Sequence, residues 1–177
     1  MTVPPSPGSG KKRDRVCSFL PVVDGRAKIL ILGTMPGLAS LRANQYYAHP
    51  GNAFWKIIYG LFGQEPDPDY RRKIEFLRGK GIALWDVVQS CERPGSADSA
   101  IRREIPNDIE GLLKEFPAIR AIICNGRKAE ALFRKHIGGA NGLTCQCLPS
   151  TSPAHASKSY EDKRREWAGI KEALHER

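Results

Sequence analysis

The sequence predicts an α/β fold of three layers, in which a four-stranded parallel sheet lies between helices. Two observations lead to this prediction. Four short apolar segments alternate along the chain with segments that have the spacing of amphipathic helices. The apolar segments are also nearly continuous, which is typical of strands that are buried on both faces of a parallel sheet. Strands and helices in alternation indicate a sheet that is covered by helices on both faces.

The predicted strands end at small or polar residues. They cover residues 27–33 (AKILILG), 82–88 (IALWDVV), 118–126 (AIRAIICNG) and 143–150 (LTCQCLPS). Asn125 and Gly126 end the third strand, because both residue types favour turns. The predicted helices cover residues 52–62, 69–77, 106–116, 127–136 and 157–177, and Pro106 or Asn107 is expected near the start of the third of them.

The length and composition suit one soluble globular domain. The chain has 177 residues, of which 41% are hydrophobic and 27% are charged, and these values exclude a disordered chain. No apolar run approaches the roughly 20 residues that cross a bilayer, so no membrane-spanning segment is expected. Residues 1–16 are rich in Pro, Gly and Ser and then become basic. We expect them to form a flexible arm ahead of a single domain at residues 17–177.

The formal net charge of +9 favours a polyanionic partner, such as nucleic acid or an anionic membrane surface. A basic protein with no such partner is the alternative at this point. The five cysteines are an odd number without a secretion signal, which favours reduced thiols and a cytoplasmic location. Their spacing offers no set of four metal ligands, so no metal is expected.

Four loops rich in small and polar residues follow the four predicted strands. They are GTMPGLASLRANQYYAHPGN, QSCERPGSAD, NGRKAE and LPSTSPAH. Crossover connections in such folds are right-handed, so the carboxyl ends of the strands meet at one edge of the sheet, and ligands bind outside that edge. We therefore expect the binding site to be built from these four loops.

The first loop offers the clearest candidate chemistry. Its GTMPG segment lacks the spacing of nucleotide-binding loops, and by itself it suits an ordinary turn. Two tyrosines beside a Pro-Gly turn predict an aromatic wall for a flat heterocycle. Asn52 suits either a helix cap or an amide in a pocket, and capping is the commoner role. Phe54 stands in the helix that follows, where an aromatic residue suits the core as well as a pocket.

The last loop places three hydroxyl groups and two prolines ahead of the final helix. Short polar side chains and backbone N–H groups on a stiff loop suit contact with phosphates. Capping of the following helix is the alternative. His155 suits an acid–base role, a phosphate contact or a place in solvent.

Taken together, these motifs resemble the uracil-DNA glycosylase superfamily. The motifs are GTMPGLAS, YYAHPGNAFWK, ALWDVVQSCERPGSAD, CNG and LPSTSPAH, in this order, and they extend from about residue 27 to the final helix. The chain is most similar to the hypoxanthine-DNA (deoxyinosine) glycosylases and then to the mismatch-specific uracil/thymine branch. The resemblance implies a uracil-DNA glycosylase-like fold. It also implies a monofunctional enzyme that flips a deaminated base out of DNA and hydrolyses its N-glycosidic bond, the first step of base excision repair. No cofactor and no metal are implied.

The resemblance also implies which residues act in catalysis. Met35 stands where the mismatch-specific branch has a water-positioning asparagine, and Leu148 stands where the classical uracil enzymes have a catalytic histidine. Neither role carries over to this chain. Asn52 matches the amide of the hypoxanthine branch and is the predicted catalytic residue, with Asn44 as the alternative. A neutral amide is a poor base, so a dissociative mechanism is expected.

Other residues are predicted to bind the base or the DNA. Tyr47 matches the aromatic residue that stacks on the flipped base, and Asn125 stands where the superfamily often has a base-reading amide. The predicted substrate-binding residues are Gly33, Thr34, Met35, Pro36, Tyr47, Phe54 and Asn125. The predicted DNA-binding residues are Ser96, Ser150, Thr151, Ser152, Ala154, His155, Arg127 and Lys158, with Ala154 or His155 near the wedge that fills the gap in the base stack.

The partner that the resemblance implies is double-stranded DNA that contains a deaminated base, hypoxanthine or uracil. With this partner no membrane partner is expected, and in a prokaryote the protein is expected to be associated with the nucleoid. A mismatch-specific uracil/thymine-DNA glycosylase is one alternative. A catalytically inactive module that binds damaged DNA is another, because Met35 and Leu148 replace the usual catalytic residues. Nothing in the sequence indicates an obligate oligomer, so a monomer is expected.

Overall fold

The computed structural model describes residues 15–139 and 142–175. Seven strands and seven α-helices follow one another in these ranges. The strands are β1 (Arg15–Cys17), β2 (Ile29–Gly33), β3 (Ile82–Asp86), β4 (Val88–Glu92), β5 (Arg102–Pro106), β6 (Ala121–Asn125) and β7 (Thr144–Leu148). The helices are α1 (Leu38–Ala43), α2 (Phe54–Leu61), α3 (Tyr70–Gly79), α4 (Ile109–Glu115), α5 (Arg127–His136), α6 (Tyr160–Trp167) and α7 (Ile170–His175).

The main sheet has four parallel strands in the order β3-β2-β6-β7. Strand β2 is central, and all five of its residues are buried. Leu30 lies opposite Ala83 of β3 on one side and opposite Ile122 of β6 on the other. The predicted fold class, a three-layer α/β structure with a four-stranded parallel sheet, is confirmed.

Two hydrophobic clusters cover the two faces of this sheet. Successive side chains of a strand point to opposite faces, so Ile29 and Ile31 belong to one cluster, while Leu30 and Leu32 belong to the other. Helices α2, α3, α6 and α7 contribute to the first cluster, and helices α4 and α5 contribute to the second. The sheet is therefore held between two layers of helices, and its carboxyl edge is left for the loops.

A second, antiparallel sheet of three strands, in the order β1-β4-β5, was not predicted. Strand β1 pairs with β4, and Arg15 donates hydrogen bonds to the carbonyl and hydroxyl oxygens of Ser90 and to the carbonyl of Arg103. The described fold thus begins at Arg15, two residues before the predicted domain boundary. The rest of the predicted arm, residues 1–14, lies outside the described residues.

The predicted helices occur, with corrected bounds. Helix α4 is capped by Asp108, whose carboxylate accepts from the N–H of Gly111 at 2.9 Å, and not by Asn107 or Pro106. The single helix predicted for residues 157–177 is two helices, α6 and α7, which are separated at Ala168 and Gly169. Helix α1 was not predicted, because its segment is short and lies in the first loop.

Candidate active site

The carboxyl edge of the parallel sheet opens into a cavity of about 1030 Å³. All four predicted loops line it, so the prediction that they build one site agrees with the structure. The lining includes Gly33, Thr34, Met35, Pro36, Tyr47, Asn52, Asp86, Ser96, Asp98, Asn125, Arg127, Lys128, Leu148, Ser150, Thr151, Ser152, Ala154, His155 and Lys158. Of the predicted site residues, Asn44 and Phe54 are outside this lining.

Tyr47 forms an aromatic wall of the cavity. Its ring stacks on Phe54, with ring centroids 4.0 Å apart and an angle of 23° between the planes. Phe54 is fully buried in the core, so its predicted contact with the base is wrong. Phe54 instead packs against one face of the Tyr47 ring, and Tyr47 itself lines the cavity. Tyr47 also has a φ of 54°, an unfavourable value for a bulky residue, and the surrounding contacts must hold it there.

The side-chain amide of Asn125 holds the Tyr47 wall and the last loop together. Its Nδ2 donates to the hydroxyl of Tyr47 at 3.1 Å and to Oγ1 of Thr151 at 3.0 Å. Its Oδ1 accepts from the N–H of Thr151 at 2.9 Å. Both N–H bonds of the amide are therefore used within the protein. Asn125 is a latch in this structure, and its predicted role as a base-reading amide requires that a ligand replace one of these partners.

Thr151 is the partner of that latch. It is 1% exposed, and its carbonyl accepts from the N–H of Ala53, at the start of α2. Its hydroxyl is bonded to Asn125, so a contact between Thr151 and a phosphate, which stays a prediction, would have to replace that bond. Sequence alone could not separate this hydroxyl from its neighbours, since all three follow the same strand.

Asn52 faces the cavity and also holds the start of α2. Ala53 is the N-cap residue and offers no side-chain bond, but Oδ1 of Asn52, one residue earlier, accepts from the N–H of Phe54 at 3.0 Å. A structural role at the helix start and a role in the pocket are thus compatible, because the NH₂ group of the same amide is not used in this bond. Asn44 is exposed and ends α1 with a φ of 51°, and it lines a separate small pocket beside Tyr46. The structure therefore does not bring Asn44 to the active-site cavity.

The first loop approaches the cavity floor at Gly33. A Cβ atom there would lie 2.5 Å from Oδ1 of Asp86 and 3.2 Å from Oη of Tyr47, so only glycine fits. Thr34 and Met35 are each 6% exposed, and both line the cavity as predicted.

The second loop is joined to the first by hydrogen bonds. Ser96 accepts from the N–H of Leu38 at 2.8 Å, so its exposed hydroxyl has a partner within the protein as well as a place at the cavity. The buried guanidinium of Arg93 donates to the carbonyls of Pro36 and Gly95. These contacts join two segments that are more than 50 residues apart in sequence, and they fix the entrance to the cavity on this side.

Two carboxyl groups that were not predicted as site residues line the cavity. Asp86 is the last residue of β3 and is 3% exposed, and burial raises its pKa to about 7. Burial also raises the pKa of Asp98, against the opposing effects of Thr34, Arg93 and Lys128. The sequence signal for Asp86 was an acidic residue at the end of an otherwise apolar strand. Such a residue reaches the ligand-binding edge of a parallel sheet.

Two buried side chains of α6 bind the backbone of the last loop. The indole N–H of Trp167 donates to the carbonyl of Pro149 at 2.9 Å, and the amine of Lys163 donates to the carbonyl of Ser152 at 3.3 Å. The hydroxyl groups of Ser150 and Ser152 accept from backbone N–H groups two residues further on. Ala154 is exposed at the tip of this loop. Its position suits the predicted insertion into a base stack.

Basic side chains surround the mouth of the cavity. Arg127 and Lys128, the first two residues of α5, are exposed. Lys158 is also exposed, and it forms an ion pair with Glu166 in this structure. His155 lies close to the hydroxyl of Ser157, with a distance of 3.4 Å from Nε2 to Oγ.

Within residues 15–139 and 142–175, no group of three or more His, Cys, Asp or Glu side chains is arranged to hold a metal ion. None of the helices that the structure describes has the length and apolar character needed to cross a membrane.

The fold and the cavity define an α/β enzyme that binds its ligand at the carboxyl edge of a parallel sheet. Comparison with known families is consistent with this class. The family model described as "Uracil DNA glycosylase superfamily" matches residues 20–174. The chain belongs to the uracil DNA glycosylase superfamily.

Individual relatives agree with this family. A protein of Methanosarcina acetivorans named hypoxanthine DNA glycosylase is 38% identical over 156 residues, which are 86% of this chain and 95% of the relative. A protein of Methanosarcina barkeri with the same name is 34% identical over 154 residues, 85% of this chain and 94% of the relative. The solution NMR structure of a protein from M. acetivorans, described as a candidate uracil DNA glycosylase, has a TM-score of 0.77 at 37% identity and covers 92% of this chain and 100% of that chain. The predicted family and the predicted enzyme class, a DNA glycosylase for deaminated bases, are confirmed.

Replacement of Asn125 by alanine tests the latch. Asn125→Ala leaves the buried N–H of Thr151 without its acceptor, and we expect a loss of about 1–3 kcal/mol in the free energy of unfolding. Urea unfolding at pH 7 measures this loss. The control Ser157→Ala, at an exposed position, should change the stability by less than about 0.5 kcal/mol. Equal stability of the two variants would contradict the latch.

Proposed function

We propose that this protein excises hypoxanthine from deoxyinosine in double-stranded DNA. The observation that carries the proposal is the Tyr47 wall, which is backed by Phe54 and stands in a cavity among basic side chains. A flipped base stacks on the free face of the Tyr47 ring, and stacking on an aromatic side chain contributes about 1–3 kcal/mol. The names of the two Methanosarcina relatives support hypoxanthine as the base. The cavity volume of about 1030 Å³ does not restrict the site to pyrimidines.

The proposed chemistry is a dissociative hydrolysis. Leu148 and Met35 line the cavity but cannot act as an electrophile or polarise water, so the bond to the base breaks largely before water attacks. The negative charge of the DNA phosphates stabilises the cationic sugar that forms. Asn52 positions the attacking water through its NH₂ group, while its Oδ1 accepts from the N–H of Phe54 at the start of α2. Neither a metal nor a cofactor takes part in the proposed reaction.

The proposed DNA contacts lie around the mouth of the cavity. Arg127 and Lys158 bind phosphates, and so do Ser96, Ser150 and Ser152, whose hydroxyls keep donor capacity beside their bonds within the protein. Ala154 and His155 enter the base stack. We also propose that the protein acts as a monomer, since all four loops of the site come from a single chain and no second copy is needed to complete the cavity. All five cysteines are free thiols, which supports a cytoplasmic location.

A panel of labelled duplexes tests the proposed substrate. Each duplex carries hypoxanthine, uracil, xanthine or a G·T mismatch, and alkali reveals the abasic site after incubation with the protein. We expect the highest single-turnover rate for hypoxanthine. Faster excision of uracil or mismatched thymine would place the protein in the mismatch-specific branch. Binding without cleavage of any duplex would indicate an inactive DNA-binding module.

A pair of asparagine variants tests the catalytic assignment. Asn52→Ala removes the amide that positions water, and we expect the single-turnover rate to fall by about 10²–10³-fold. Asn44→Gly keeps the positive φ at the end of α1, lies outside the cavity and should leave the rate unchanged. A near-normal rate for Asn52→Ala would contradict the catalytic assignment and leave Asn52 with a structural role at the start of α2 alone.

The salt dependence of DNA binding tests the basic mouth. Each phosphate contact steepens the slope of log K against log salt concentration by about 0.9. Arg127→Gln removes one proposed phosphate contact and should therefore reduce the steepness of this slope by about 0.9. The matched control is Arg26→Gln, because Arg26 precedes β2 at the opposite edge of the sheet and pairs with Asp24. Binding that does not depend on salt would contradict the proposed contacts.

A further inference from the structure

The proposed mechanism gives no role to Asp86, although this carboxyl group lies on the cavity floor. Asp86 ends β3, next to the end of the central strand β2, and it is 3% exposed. A buried carboxyl group inside a ligand cavity costs stability unless it is neutral or well paired. Asp86 is therefore stabilised in the folded protein either by a proton or by its hydrogen-bond partners.

The two oxygens of Asp86 have different surroundings. Oδ2 accepts from the hydroxyl of Ser18 at 2.6 Å. Oδ1 lies over Gly33 at the point where a side chain would begin, and the hydroxyl of Tyr47 lies close to the same point. Gly33, Tyr47 and Asp86 all line the cavity. The carboxyl group of Asp86 and the hydroxyl of Tyr47 thus stand side by side above Gly33 in the wall of the cavity.

The surroundings of Asp86 favour its protonated form. Burial is the main cause that raises its pKa to about 7, and the hydrogen bond from Ser18 opposes it. Of the charged groups that face it, Asp98 raises the pKa and Arg93 lowers it. The hydroxyls of Tyr46 and Tyr47 also face Asp86, and its charge helps to raise their pKa values. A carboxyl group with a raised pKa keeps its proton at higher pH than an exposed one, which is the property that a proton donor needs.

We infer that Asp86 is the general acid that protonates the departing purine, an inference that rests on the proposed excision of hypoxanthine. As the C1′–N9 bond breaks, its electron pair moves into the purine ring, and the proton of Asp86 passes to N7. Water adds to C1′ of the sugar cation and forms the hydroxyl of the abasic site. The proton that this water loses returns through solvent to the Asp86 carboxylate. The balance is deoxyinosine plus water giving hypoxanthine and an abasic sugar.

Asp86→Asn tests this inference with little change of shape. The amide keeps the size of the side chain and can donate a hydrogen bond, but it cannot transfer a proton. We expect the single-turnover rate on a deoxyinosine duplex at pH 6 to fall by about 10²-fold or more, the usual contribution of general acid catalysis. Binding to a duplex with an uncleavable 2′-fluoro analogue of deoxyinosine should be retained, which shows that the variant is folded.

The pH profile adds a second readout. For the wild-type protein we expect the rate to fall by about tenfold per pH unit above pH 7, because the proton donor is lost. The profile of Asp86→Asn should be flat over this range. Ser18→Ala removes the hydrogen bond that favours the carboxylate form of Asp86. The falling limb of the pH–rate profile of this variant should therefore lie at higher pH than in the wild-type protein.

The outcomes separate this inference from the proposed function. A wild-type protein that excises no hypoxanthine would overturn the proposed function and the inference together. A wild-type protein that excises hypoxanthine, with Asp86→Asn equally active and equally dependent on pH, would overturn the inference alone. An unshifted limb in Ser18→Ala would also overturn it, whether or not Asp86→Asn folds.

Discussion

The side-chain amide of Asn125 joins three parts of the site that are far apart in sequence: the end of β6, the aromatic wall at Tyr47 and the loop after β7. One buried group thereby sets the distance between the surface on which a base can stack and the loop that faces the DNA backbone. The hydrogen bond from Asn125 to the Tyr47 hydroxyl is one of the contacts that hold Tyr47 at its unfavourable φ of 54°. The latch thus stabilises a strained arrangement that the site needs.

The rest of the site follows the same plan, in which buried groups hold loops by their backbones. Arg93 binds carbonyl groups of the first and second loops, and Trp167 and Lys163 bind carbonyl groups of the last loop. Such contacts leave most of the exposed side chains at the cavity mouth free for DNA. Rigid loops also reduce the entropy that binding would otherwise have to offset. A preformed cavity of this kind suits an enzyme that must recognise a base only after it has left the helix.

The order of strands and helices was predictable from sequence because it depends on apolar periodicity, and so was the convergence of the four loops. The antiparallel sheet was not predictable, since β1, β4 and β5 are short, partly polar and paired over long distances in sequence. Residue roles were the least predictable. Phe54 belongs to a motif that faces the cavity, yet its side chain is buried behind the Tyr47 ring, and the hydroxyl of Thr151 is bonded to Asn125. The place of Asp86 at the end of an apolar strand signals that it reaches the edge of the sheet, but its burial and its neighbours are visible only in three dimensions.

The most direct test of the account is a crystal structure of the protein with a duplex that carries the uncleavable 2′-fluoro analogue of deoxyinosine. The account predicts that the flipped hypoxanthine lies in the cavity, on the face of Tyr47 opposite Phe54, with the bonds between Asn125 and Thr151 intact. It also predicts that the edge of the purine faces Asp86. A base that stays in the helix, or one that binds outside this cavity with Tyr47 displaced from Phe54, would contradict the account.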